Sequence, residues 1–143
     1  MANYSGQAAF VISMTADVDL TAQQYRVVAP ASTAGNVASN NSGASPMGLG
    51  VLQNDPSAGQ PANIVVWGFA KAKGRTNACN LTPGTFVFGA SDGFVEPAIA
   101  GAAWPIFGRW FGPRLLTAGT SVLGDLLVMP IAACIGASTA GAS

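Results

Sequence analysis

Apolar stretches in this chain rarely run far before Gly, Pro, Asn or Ser interrupts them. The stretches are rich in Val, Ile, Phe and Trp, residues that suit a pleated, half-buried surface, and the interrupting residues are those that turns require. No long stripe of 3.6-residue period competes, so the pattern predicts an all-β fold, a small barrel or sandwich of short strands. Strands are expected at residues 8–13, 24–29, 47–52, 62–71, 85–88, 94–97 and 125–131. Two turns carry their own signals. Pro83-Gly84 sets a fixed φ beside a permissive residue, and Asp92-Gly93 lies between two aromatic-containing strands, as a tight hairpin connection does.

With 143 residues the chain fits one β-rich domain with a real core. Only 8% of its residues are charged, and six basic residues balance six acidic ones. Soluble domains typically carry about a quarter charged residues, and a neutral chain has no field to draw in nucleic acid. A protein held in a symmetric assembly can present such neutral surface to its neighbours. Membrane spanning is not expected, because the longest apolar stretch, residues 126–137, holds Pro130 and falls short of the roughly 20 residues a helix needs. The N-terminal residues lack the basic start and long apolar centre of a signal peptide. Cys79 and Cys134 show no CxxC spacing and read as free, structural thiols in preference to a bridge.

The residues argue against catalysis. There is no histidine, which removes the usual general base near neutral pH and the commonest transition-metal ligand. Gly89-Ala90-Ser91-Asp92-Gly93 matches GxSxG, but a nucleophile elbow needs a larger α/β sheet and a histidine partner, so a hairpin is the better reading. Asp17 and Asp19 lack the further oxygens a calcium ion wants and read as a solvated turn before Leu20. Asp92 with Glu96 makes a poor glycosidase pair, since Asp92 already serves the turn. Lys71, Lys73 and Gly74 do not follow the order of a phosphate-binding loop, and residues 67–75 read as a strand with one packed and one solvated face. No catalytic residue, metal or cofactor is expected.

Two segments do not read as sheet. Residues 31–45 are mostly Ala, Ser, Thr, Gly and Asn with little to bury, and are expected to form an exposed loop or an arm that orders on contact. Residues 101–119 crowd Trp104, Phe107, Trp110 and Phe111 beside Arg109 and Arg114, with room for one short helix. These four aromatics are candidates for a protein–protein interface, and equally for a satellite core under a long loop. Residues 1–7, containing Tyr4, are read as an arm that pairs with a partner or frays, and residues 138–143 as a small-residue tail.

Several stretches together resemble the phage head decoration (capsid cement) proteins of the small β-barrel type. They are Gly50-Val51-Leu52-Gln53-Asn54-Asp55-Pro56, Ala58-Gly59, residues 64–69, Leu81-Thr82-Pro83-Gly84-Thr85, Asp92-Gly93, Pro97-Ala98, Ile106-Phe107-Gly108-Arg109 and Gly124-Asp125-Leu126-Leu127-Val128. The likeness runs over residues 47–130 and departs at residues 100–117, an aromatic, glycine-rich insertion. It implies a non-enzymatic virion protein on the outer surface of a capsid, bound to the major capsid protein and to itself as a homotrimer. A host-surface or tail-associated β-rich binding module is the alternative, because short strands and neutral loops also suit receptor contact.

Overall fold

The chain is organised around one long strand. In the structure, a computed structural model describing residues 9–40, 48–99 and 106–129, nine strands occur. They are β1 (Ala9–Ala16), β2 (Val27–Pro30), β3 (Asn36–Ser39), β4 (Gly50–Leu52), β5 (Pro61–Arg75), β6 (Phe86–Gly89), β7 (Val95–Pro97), β8 (Gly108–Trp110) and β9 (Ser121–Val128). β5 pairs with β1 and β4 along its first half, and with β9 and β7 along its second. The order β1-β3-β2-β4-β5-β7-β6-β8-β9, with the added β1–β5 and β5–β9 pairings, therefore closes the sheet on itself twice. Two five-stranded rings result, sharing β5.

Each ring encloses its own core. Ala16, Leu20, Val28, Val37, Leu52, Ala62 and Ile64 fill the first; Ala70, Ala72, Leu81, Val87, Val95, Phe107, Trp110, Leu126 and Val128 fill the second, joined by Val27, Val51 and Val65. Neighbouring residues Val27 and Val28, Val51 and Leu52, and Ile64 and Val65 thus point into different cores. β2, β4 and β5 form a wall with apolar packing on both sides, which is why they read as continuous apolar runs instead of alternating ones. Gly50 is required in that wall, since a Cβ there would lie 2.4 Å from the Val65 carbonyl oxygen.

β5 changes rings at a bulge. Phe10 opposes Trp67 while Val11 opposes Val65, so Val66 is the extra residue on β5, and Gly68 follows with φ of 100°. The inserted residue shifts the side-chain alternation, as bulges do. Ala62 and Ile64 face the first core, while Ala70 and Ala72 face the second.

The all-β expectation holds, and both turn signals are realised. Thr85 N donates to Thr82 O across Pro83-Gly84, with Gly84 at φ 90°, a turn of the type that needs glycine at its third position. Gly93 N donates to Ala90 O and Ala90 N to Phe94 O, so Ser91-Asp92-Gly93 forms the β6–β7 hairpin loop, Gly93 sitting at φ 85°. The GxSxG match is this hairpin.

Two expectations are corrected. Residues 31–45 were expected as an exposed loop, yet β3 lies inside them; Val37 is fully buried and Asn36 donates through Nδ2 to Asp17 Oδ1 at 2.8 Å. Hydrogen-bonded neighbours on both sides order this short polar strand despite its composition. A short helix had room within residues 101–119, but among the described residues of that stretch there is none, and β8 is there instead. Residues 1–7, 41–45, 101–105 and 138–143 lie outside the described residues.

Candidate interaction surface

The expected interface aromatics divide sharply. Trp110 is completely buried and Phe107 nearly so, both inside the second core, which corrects their candidacy as contact residues. The reason is a slot lined by glycine. A Cβ at Gly74, Gly112 or Gly124 would come within 2.5–2.8 Å of the Trp110 ring, and the indole Nε1 donates to Pro113 O at 2.9 Å. Glycines that read as loop punctuation make room for the tryptophan. Phe111 is half-buried, with its ring edge-to-face on Phe69 at 5.7 Å. Trp104 and Tyr4 lie outside the described residues.

The most exposed large apolar side chain is on β1. Phe10 is 72% exposed and opposes Trp67, 54% exposed, while Val11, the next residue along β1, is 56% exposed. This group stands at the bulge where the two rings meet. A signal was present in the sequence: Phe10 and Val11 are adjacent apolar residues, so a strand with one buried face must expose one of them. Phe86 is covered in part by the Arg109 guanidinium, 4.9 Å above its ring, and Arg109 Nε donates to Gly84 O.

Charged residues serve the scaffold. Arg75, at the end of β5, donates through Nε to Glu96 Oε1 at 3.0 Å and through Nη2 to Asp92 Oδ1 at 3.1 Å. Two guanidinium groups lie over the Phe94 ring, those of Arg26 and Arg75, each 4.6 Å from its centroid. Burial pushes the Asp92 carboxyl up, but its hydrogen bonds and charge pairing with Arg75 outweigh that and hold it below the usual carboxylate range. Lys71 pairs with Asp125 at 2.6 Å in mid-strand. Asp19 Oδ1 accepts from Thr21 N, the turn expected before Leu20.

The two rings are stitched together at the same hairpin. Val27 N donates to Gly93 O, Arg26 Nη1 to Asp92 O, and the buried Asn40 through Nδ2 to Ala90 O at 2.8 Å. The stretch 50–56, the most specific part of the family resemblance, is also structural. Gln53 Nε2 donates to Lys71 O, and Asn54 both donates to Pro61 O and accepts from Asn63 N. Cys79 is free, in line with the free-thiol reading, and exposed; Cys134 lies outside the described residues. Among the described residues no group of three or more His, Cys, Asp or Glu side chains gathers as metal ligands do.

No family model matches the chain, and no curated protein does. Its fold is similar to a solved crystal structure, the head fiber gp8.5 N base of bacteriophage phi29, with a TM-score of 0.54 at 14% identity. The likeness covers 85% of this chain and 95% of that one, so the two share an architecture across nearly their whole length.

Proposed function

We propose that this chain is a structural virion protein of a phage head, which attaches to the outside of the capsid through the major capsid protein and reinforces the shell without catalysing a reaction. The observation that carries the reading is the fold shared with a phage head fiber base over 85% of the chain. The resemblance of residues 47–130 to capsid decoration proteins also supports it. In this reading the protomers group in threes, and each contributes several modest contacts that act together, so that avidity holds the assembly.

Purified protein added to expanded capsids lacking it tests the reading. It is expected to co-sediment to a saturating copy number and to raise the temperature at which the capsids rupture. Protein left in the supernatant of capsids, but bound to tails or host cells, would instead establish the receptor-binding alternative.

A further inference from the structure

Strand β1 has one bonded edge and one open edge. Its ladder to β5 runs from Ala9 opposite Gly68 to Thr15 opposite Pro61, whereas β3 reaches only Thr15 and Ala16 on the other side. Thr15 N and Asp17 N donate outward, to Gly35 O and Val37 O, while Ala16 N donates to Gln60 O on the β5 side. Odd-numbered residues therefore turn their backbone groups away from β5. Those of Val11 and Ser13 meet no partner among the described residues.

Natural sheets blunt an open edge with Lys, Pro, a bulge in the edge strand or short length. β1 has none of these. It is eight residues long, AFVISMTA, with no charge and no proline, and the bulge beside it belongs to β5. Phe10 and Val11, successive residues on opposite faces of the strand, are both exposed. An edge open on its bonding side and apolar on both faces is recognised by another extended, uncharged segment.

We propose that β1 pairs antiparallel with β1 of a second copy of this chain, across a two-fold axis normal to the sheet and centred on Ile12. Symmetry selects this occupant. Such an axis maps odd residues onto odd residues, so the outward groups of Val11 in each copy meet those of Ser13 in the other and exchange both bonds. Ile12 then faces its own copy, and Phe10 faces Met14. An uncharged strand brings no like charges together when it pairs with itself, and the contact shelters Phe10 and Val11. Because it requires only this chain and lies across its own two-fold axis, the pairing joins copies whether or not they also group in threes, and it is tested without capsids.

Ile12→Cys and Phe10→Cys are made separately in protein whose Cys79 and Cys134 are replaced by Ser. In the proposed register the Ile12 pair is a non-hydrogen-bonded one, with Cα atoms about 4.5 Å apart, within disulfide range. The two copies of residue 10 are roughly 13 Å apart along the strand. Mild oxidation is expected to give a disulfide-linked dimer from I12C and at least tenfold less from F10C. In sedimentation velocity, Val11→Pro, which removes an outward N–H and spares the β5 ladder, is expected to halve the mass of the native protein. Val11→Lys, at an exposed side chain, is expected to do the same if the proline variant fails to fold. No crosslink from I12C, equal crosslinking at both positions, or an unchanged mass in V11K overturns the proposal.

Discussion

Trp110 and the glycines around it show how single residues decide this fold. The indole fills a space that Gly74, Gly112 and Gly124 leave open, and its Nε1 bond to Pro113 O satisfies its only polar group. Gly124→Ala places a methyl 2.6 Å from the ring and is expected to lower stability by about 1–3 kcal/mol through overpacking. Trp110→Ala is expected to cost about 3–5 kcal/mol by leaving a cavity. Urea unfolding with equal m-values measures both. Asp92 makes stability depend on pH. Its carboxyl is held low in the folded state, so the stability it contributes is present above its unfolded value and is lost as pH falls through the folded one. Unfolding midpoints are expected to drop on acidification below about pH 4, and Arg75→Gln is expected to flatten that dependence.

At the scale of elements, the bulge in β5 is what lets one strand serve two cores. Deleting Val66 restores simple alternation and turns one half of β5 out of register with its core. The deletion is expected to abolish cooperative thermal unfolding, whereas Val66→Ala is expected to leave a cooperative transition at a lower temperature. Near-UV circular dichroism on heating distinguishes the two. Strands whose own residues carry the signal were legible in sequence: β5 from its apolar run, and β6 and β7 from the Asp92-Gly93 hairpin. β3 and β8 were not, because Asn36–Ser39 offers one strong strand former and Gly108–Trp110 is only three residues, the first a glycine. Their order comes from partners distant in the chain. The aromatic stretch read equally as interface and as core for a related reason, since a tryptophan among glycines has the same sequence signature whether the glycines admit it to a core or leave it at the surface. Ring closure and the open edge of β1 are properties of pairing, which local composition does not encode.

At the scale of the molecule, the two cores are joined by the wall of β2, β4 and β5 and by the bonds from Asn40, Arg26 and Val27 to the β6–β7 hairpin. They are expected to unfold together. Val37→Ala in the first core and Val87→Ala in the second should each move a single transition monitored by both intrinsic tryptophan fluorescence and far-UV dichroism, by a few degrees. Two cores joined through one shared wall suit the proposed role of reinforcing a shell. Electron microscopy of phage particles with and without this protein tests that role most directly. Density for the two-ring module on the outer lattice, in clusters of three and absent from particles lacking the protein, is the predicted result; density confined to a tail or portal would contradict it.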